Sequence, residues 1–167
     1  MLKITWHYGE PPKDMPIRQV YGIVFDEYER VLLKAENKHN DIVYSMFGGT
    51  PEDFDKDRIA TLKREFIEEA NTTLKDPIYL VGYQMIEGDG DRPVYAQLRM
   101  VAMIDTLGEK LPDPDNGKTY DRVFVSPKHA ISLLGWGEVA TRQINEAFKI
   151  AQEKFSFVSR KTERENV

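Results

Sequence analysis

The sequence predicts one domain of the α/β class. Runs that are typical of strands and of helices alternate along its 167 residues, which is the pattern of helices packed against a sheet. Hydrophobic residues make up 41% of the chain, enough to build a core for a domain of ordinary size. No internal repeat or linker divides the chain, so the domain is predicted to cover residues 1–167.

The N-terminal part is predicted to form short strands because four runs are rich in β-branched and aromatic residues. The runs are Lys3–Tyr8, Arg18–Phe25, Val31–Ala35 and Asp41–Phe47. The turn-like DEYER between the second and third runs favours a hairpin. The fourth run ends at Gly48-Gly49, which predicts a loop whose backbone approaches another group closely or needs a positive φ.

The first clear helix is predicted from about Asp57 to Ala70. At 100° per residue, one narrow stripe suited to burial contains its apolar residues Ile59, Leu62, Phe66 and Ala70. The segment KREFIEEAN places Glu65, Glu68 and Glu69 on one flank beside that stripe. Arg64 can pair with Glu68 four residues away, but Glu69 has no such partner on the helix. The flank is therefore expected to need a cation from elsewhere.

The C-terminal part is predicted to contain a second hairpin, a long loop and two helices. The hairpin joins Ile78–Ile86 to Pro93–Ile104 through the turn-rich EGDGDR. The polar loop TLGEKLPDPDNGKT leads to a strand at about Arg122–Val125, and long ordered loops often bind ligands. A short helix begins at Ser126-Pro127 and a final helix runs over about Glu138–Phe155. Residues 157–167 are predicted to be a frayed, charged tail.

Composition excludes several classes of protein. The formal net charge of −5 argues against a broad surface for nucleic-acid phosphates, which needs an excess of Lys and Arg. The chain has no cysteine, so disulfides, thiol chemistry and thiolate zinc sites are excluded. No apolar run approaches the roughly 18 residues of a membrane span. We expect a cytoplasmic protein that binds neither nucleic acid nor membrane.

The acidic flank has two interpretations. Charge runs on helices are most often solvated faces. Here, however, the Gly-Gly turn and the acids before the helix bring backbone oxygens and carboxylates to the same region: Glu52, Asp53, Asp55 and Asp57. Such oxygen-only sets suit Mg²⁺, with Mn²⁺ as an alternative.

The segment GGTPEDFDKDRIATLKREFIEEANTTL resembles the Nudix box, G-x5-E-x7-R-E-U-x-E-E-x-G-U, where U is an apolar residue. Its central part matches completely in Arg64-Glu65-Phe66-Ile67-Glu68-Glu69. The resemblance implies an α/β/α sandwich around a mixed sheet. It also implies a hydrolase that uses Mg²⁺ or Mn²⁺ to cleave the pyrophosphate bond of a nucleoside diphosphate derivative by water attack at phosphorus.

The segment departs from the box pattern in its lead-in and at its end. One additional residue lies between Gly49 and Arg64, so that Lys56 occupies the position of the first glutamate, which either Asp55 or Asp57 can replace. The late glycine is Asn71, a residue that also tolerates the left-handed conformation at a helix end. Thr72 replaces the final apolar residue, and Phe47 stands where the family often has proline.

The resemblance also implies roles for individual residues. Glu65, Glu68 and Glu69 would be metal ligands, one of them also a proton acceptor, and a carbonyl of Gly48 or Gly49 would be a further ligand. Arg64 would orient a neighbouring glutamate. An additional acid, often the general base in this family, is expected from the long loop, which offers Glu109, Asp113, Asp115 and Asp121. The residues predicted to contact substrate are Glu52, Glu109, Asp115 and Asp121.

A second hypothesis is a catalytically silent module that keeps the fold and senses a nucleotide derivative. The intact glutamates and the lack of a helix-turn-helix segment favour the enzyme. A homodimer is compatible with the sequence, because relatives often dimerise, but no residue pattern predicts one.

Overall fold

The computed structural model describes residues 1–167 and contains three helices and nine strands. The helices are α1 Arg58–Ala70, α2 Pro127–Leu134 and α3 Glu138–Lys154. The strands are β1 Lys3–Tyr8, β2 Ile17–Phe25, β3 Val31–Lys38, β4 Asp41–Ser45, β5 Gly48–Gly49, β6 Thr72–Glu87, β7 Tyr95–Leu107, β8 Asp121–Val125 and β9 Glu165–Asn166. The predicted α/β class is confirmed. None of the helices combines the length and apolar character needed to cross a membrane.

The strands form one mixed sheet in the order β1-β6-β7-β2-β3-β8-β9, with β4 paired to β3 and β5 paired to β2. The pairing of β2 with β7 is parallel, whereas the other pairings are antiparallel. The predicted hairpin of β2 and β3 is limited to the pair Phe25 and Val31 beside its turn. The two strands then separate, because β2 continues along β7 while β3 pairs with β4 and β8.

Each face of the sheet is covered by helices. On one face, Leu62, Phe66 and Ala70 of α1 pack into a core with β2 and β7 residues. On the other face, the small side chains of α3 let it lie close to the sheet, together with α2. Successive strand residues alternate between these cores, as Val24 and Phe25 do. The expected α/β/α sandwich around a mixed sheet is confirmed.

The ends of α1 are fixed by local hydrogen bonds. Asp57 is its N-cap, and the Asp57 side chain accepts a hydrogen bond from the Ala60 N–H at 2.8 Å. Asn71 closes the helix in the left-handed region at φ 46°, as expected for an asparagine in place of glycine. β6 then begins at once, six residues before the predicted Ile78, because Thr72 and Thr73 pair with β7.

The C-terminal tail was predicted to be frayed, but its residues make specific contacts with the rest of the domain. Residues Glu165 and Asn166 form β9 against β8. The backbone N–H groups of Val158 and Lys161 donate to carbonyl oxygens of the turn between β2 and β3, and Glu165 forms an ion pair with buried Arg30 at 2.9 Å. Each partner lies more than 30 residues away in the sequence, so local composition gives no indication of the contact.

Candidate active site

Two glycines bring the sheet close to α1. The predicted loop at Gly48-Gly49 is instead the short strand β5, with Gly48 opposite Tyr21 and Gly49 opposite Val20 of β2. A Cβ atom on Gly48, whose φ is +152°, would overlap the Val20 carbonyl oxygen. A Cβ atom on Gly49 would overlap the Glu65 carboxyl group. The predicted close approach is therefore confirmed, and it is an approach to a glutamate of the acidic flank.

Arg64 organises two of the three glutamates. Its Nη1 donates hydrogen bonds to Glu65 Oε1 and Glu68 Oε2, both at 3.1 Å. Its Nη2 also donates to the Thr50 carbonyl oxygen at 3.0 Å. One guanidinium group thus connects the segment before the helix with the two carboxylates, and it limits the positions that these can adopt.

The opposite side of the same guanidinium group is held by Asp55. Arg64 Nε donates to Asp55 Oδ1 at 3.0 Å and Nη2 donates to Asp55 Oδ2 at 2.9 Å, a two-point contact. This contact is the main reason that the pKa of Asp55 lies well below its ordinary value. Since Asp57 is used as the helix cap, Asp55 is the acid that pairs with Arg64. The sequence left these two residues as alternatives.

Glu69 receives its cation from the sheet. Its Oε2 accepts a hydrogen bond from Lys34 Nζ at 2.8 Å, and its Oε1 accepts one from the Gly48 N–H at 3.0 Å. The Glu69 side chain is 8% exposed. Burial by itself lowers the pKa of Lys34, but the negative charge and hydrogen bond of Glu69 raise it above its ordinary value overall. The sequence predicted that the flank needs a cation from outside the helix, and for Glu69 this cation is Lys34 of β3.

Sequence reasoning did not identify Lys34, although one indication was present. Side chains alternate between the two faces of a strand, and Leu32 on β3 belongs to the core beneath α1. Lys34, two residues later, therefore lies on the same face as α1. Its Nζ lies 4.6 Å from the centre of the Tyr120 ring. Identifying its partner, however, requires knowing how β3 lies against the helix.

Glu65 is a largely buried carboxylate whose cation partner is Arg64. Its side chain is 13% exposed, and burial is the main factor that raises its pKa to about 7, with further increases from the charges of Glu69 and Glu68. Arg64 acts in the opposite direction without cancelling the shift. Arg64 is thus shared among three acids, and the flank keeps an excess of negative charge beside Gly49.

Glu68 lies next to acids of the long loop between β7 and β8. Carboxylate oxygens of Glu68, Asp113 and Asp115 lie within 4.8 Å of one another. Asp113 is buried, and its Oδ1 accepts a hydrogen bond from the Asp115 N–H at 2.8 Å, which fixes the turn. Burial, followed by the charges of Asp115 and Asp113, raises the pKa of Glu68 against the effect of Arg64.

The other predicted substrate contacts are not gathered at this cluster. Glu52 is exposed, and its backbone N–H donates to Asp55 Oδ2. Glu109 is also exposed, and its carbonyl oxygen accepts a hydrogen bond from Asn71. Asp121 forms an exposed ion pair with Lys110 at 2.9 Å. Of the acids predicted in the long loop, Asp113 and Asp115 are the ones beside Glu68.

The arrangement fits a divalent cation with oxygen ligands. Glu68 lies next to two loop carboxylates, Glu65 belongs to the same flank, and the flank holds no histidine or cysteine that would favour a softer metal. The cation that pairs with Glu65 and with Glu68 is Arg64 in both cases, and Arg64 also pairs with Asp55. Glu69 would have to exchange or share its contact with Lys34 to bind a metal.

A cavity lies beside the carboxylates where β2 and β3 separate. Its volume is about 560 Å³, within the range of small-molecule pockets. Lys34 lines it and also contacts Glu69. Tyr21 lines it too, directly against Gly48. A molecule bound at the acidic flank therefore has room to extend into this cavity.

Comparison with known proteins identifies the fold. No protein-family profile matches the sequence, and no curated protein matches it. Among solved structures, a Nitrosomonas europaea NUDIX hydrolase aligns with a TM-score of 0.59 and 15% identity, over 86% of this chain and 93% of that chain. A Listeria monocytogenes protein described as a NUDIX hydrolase aligns with a TM-score of 0.61 and 20% identity, over 86% and 99% of the two chains.

A third similar structure is a mutant of a Bacillus subtilis pyrophosphohydrolase, with a TM-score of 0.50 and 20% identity. The alignment covers 64% of this chain and 63% of that one, so the chain matches less than two thirds of that protein's length. At these levels of identity the comparisons concern the fold, which the chain shares with these proteins. The fold places α1 and its glutamates beside the glycines of β5.

Proposed function

The chain has the fold of Nudix hydrolases, and from this premise we propose that it is a pyrophosphohydrolase. Its substrate is a nucleoside diphosphate derivative, and water attacks one phosphorus of the pyrophosphate bond. The reaction depends on a divalent cation, Mg²⁺ or alternatively Mn²⁺. The observation that carries the proposal is the carboxylate flank of α1, held by Arg64 and Lys34 against the two glycines of β5.

The chemistry of the reaction requires what this flank offers. A diphosphate is negatively charged and repels both carboxylates and hydroxide, so its charge must be neutralised before water can attack. A bound divalent cation supplies that neutralisation and lowers the pKa of a coordinated water. Glu65, Glu68 and Glu69 would hold it, with a carbonyl oxygen of Gly48 or Gly49, and one of the glutamates would accept the proton.

The surrounding residues have supporting roles in this proposal. Asp55 anchors Arg64, and Arg64 fixes Glu65 and Glu68. Orienting contacts of this kind often change metal affinity 10- to 100-fold when they are removed. Lys34 and the Gly48 N–H donate hydrogen bonds to the two oxygens of Glu69 and fix its position. Asp113 and Asp115 are better placed than Glu109 or Asp121 to add an oxygen near Glu68.

A substrate screen tests the proposal. The protein is incubated with a panel of nucleoside diphosphate derivatives and Mg²⁺ or Mn²⁺, with a chelator as the control, and phosphorylated products are separated and quantified. We expect turnover of at least one member, abolished by the chelator. Turnover of no member, combined with tight binding of a nucleotide, would instead indicate the catalytically silent module.

A variant links the activity to the flank. Glu69→Gln removes the negative charge but keeps the side-chain shape, so we expect turnover to fall by about 100-fold or more. Glu109→Gln is the matched control, because that acid is exposed and its side chain is not used at the cluster. Near-full activity of a folded Glu69→Gln variant would contradict the assignment of this residue.

A further inference from the structure

Arg99 on β7 is a buried cation without an acidic partner. It is 4% exposed. Its Nε donates to Gln143 Oε1 on α3 at 3.0 Å, and its Nη1 donates to the Leu98 carbonyl oxygen at 3.3 Å. These contacts use two of the five N–H groups of a guanidinium, and no carboxylate forms an ion pair with it. Burial lowers the pKa of Arg99 to about 10, so it is still a cation at neutral pH.

Two other buried arginines, Arg30 and Arg122, allow a comparison of hydrogen-bond partners with those of Arg99. Arg30 forms ion pairs with Asp26 and Glu165. Arg122 donates from Nη1 to two backbone carbonyl oxygens, each at 2.7 Å. Both therefore have their hydrogen-bond donors directed at strong acceptors. An unpaired buried charge is costly, and Arg99 is the one of the three that lines the cavity beside the carboxylate flank.

The cavity itself favours a negatively charged occupant. Its walls carry the cations Lys34, Lys38 and Arg99 and the acid Glu36. Lys34 pairs with Glu69 and Glu36, and Lys38 pairs with Glu36, so Arg99 is the wall cation that has no ion pair. The Arg99 guanidinium carbon lies 4.8 Å from the centre of the Tyr21 ring and 5.9 Å from that of Trp136. These rings help to hold the guanidinium group in place.

We propose that Arg99 is a specificity-determining residue that receives an anionic group of the substrate, other than the pyrophosphate that is cleaved, inside this cavity. A phosphate or a carboxylate supplies the required oxygens, and a guanidinium can bind either through two hydrogen bonds. The assignment to a substrate rests on the proposed hydrolase function. The anion site itself can be tested without turnover and without metal.

The test measures anion binding to the full chain in the presence of a chelator. Inorganic phosphate and acetate are titrated separately into the protein, by calorimetry and by the shift in melting temperature. We expect saturable binding of at least one of them, and the comparison distinguishes a phosphate site from a carboxylate site. Absence of binding by both ions would overturn the proposal, whatever the outcome of the substrate screen.

The variant Gln143→Glu locates the site. It places a carboxylate at the atom that already accepts from Arg99, and it removes the buried Gln143 Nε2, which has no hydrogen-bond partner. We expect the variant to fold and to bind the anion about 10- to 100-fold more weakly, because the guanidinium charge is then neutralised internally. A purely structural Arg99 would leave anion affinity unchanged.

Two further variants complete the design. Arg99→Met removes the cation, and we expect it to lose anion binding to the same extent as Gln143→Glu. Arg142→Met is the matched control, because it removes one positive charge from an exposed part of α3, where Arg142 is 52% exposed and pairs with Glu138. The Arg142→Met variant should bind the anion with the affinity of the wild type. Wild-type affinity in a folded Gln143→Glu variant would overturn the proposal.

Discussion

The contact between Asp55 and Arg64 is the structural support of the carboxylate flank, and Asp55→Asn tests it. Both side chains are largely buried, and the contact has two hydrogen bonds, of 3.0 and 2.9 Å. Asparagine keeps the shape and one carbonyl oxygen but loses the charge. Arg64 would still donate to the Thr50 carbonyl oxygen, Glu65 and Glu68.

The expected loss of stability follows from these contacts. Removing one partner of a buried ion pair costs about 3–5 kcal/mol when nothing replaces it. Because Arg64 keeps its other acceptors, we expect a reduction of about 2 kcal/mol in the free energy of unfolding at pH 7, or about 4–8 °C in melting temperature for a chain of this size. Metal affinity should fall by about 10- to 100-fold, since the two glutamates lose their anchor.

The lowered pKa of Asp55 also determines how the stabilisation by this residue changes with pH. The pKa of Asp55 is lowered in the folded state, so its contribution is present above the unfolded pKa of about 3.9 and is lost as the pH falls through the lower folded value. The difference between wild type and Asp55→Asn should thus be constant from pH 7 to 5 and narrow below about pH 4.

The assay compares Asp55→Asn with Asp57→Asn by thermal and urea unfolding and by titration with Mn²⁺. Asp57 caps α1, and asparagine caps a helix about as well as aspartate, so this control should stay close to wild type in both measurements. Equal effects of the two substitutions, or no effect of Asp55→Asn, would refute the assignment of Asp55 as the anchor of Arg64.

Two more substitutions probe the contacts around the flank. Gly49→Ala should leave the fold intact but displace the Glu65 carboxyl group, because a Cβ atom on residue 49 would overlap that group. We expect turnover to fall by about 100-fold. Unchanged turnover would contradict the close approach of Gly49 to Glu65. Lys34→Met removes the cation that pairs with buried Glu69 and should cost about 3 kcal/mol in unfolding free energy. Added Mn²⁺ should raise the melting temperature of this variant more than that of wild type, and an equal increase would contradict the need for a cation there.

The sequence predicts those parts of the site that depend on local periodicity. Leu62 and Phe66 face the core because helical spacing places them on one stripe. The same spacing put Glu68 within reach of Arg64, and this contact is present. The class of the fold and most element positions follow from similar local patterns.

The parts that could not be predicted depend on how distant elements meet. Asp55 and Asp57 lie two residues apart and have the same chemistry, so the choice between cap and ion pair appears only when the chain before α1 folds back. Lys34 comes from a strand that is far from α1 in the sequence, and its pairing with Glu69 cancels part of the charge. Arg99 gave no indication in sequence, because a lone arginine in a strand does not reveal its lack of a partner.

Binding of Mn²⁺ to the metal-free protein tests the central claim most directly, because it asks whether the flank of α1 holds a divalent cation. Electron paramagnetic resonance counts free and bound Mn²⁺ for the wild type, for Glu68→Gln and for the control Glu109→Gln. We expect saturable binding by the wild type and the control, and affinity at least about 10-fold weaker for Glu68→Gln. Wild-type affinity in a folded Glu68→Gln variant, or no saturable binding by the wild type, would contradict the account.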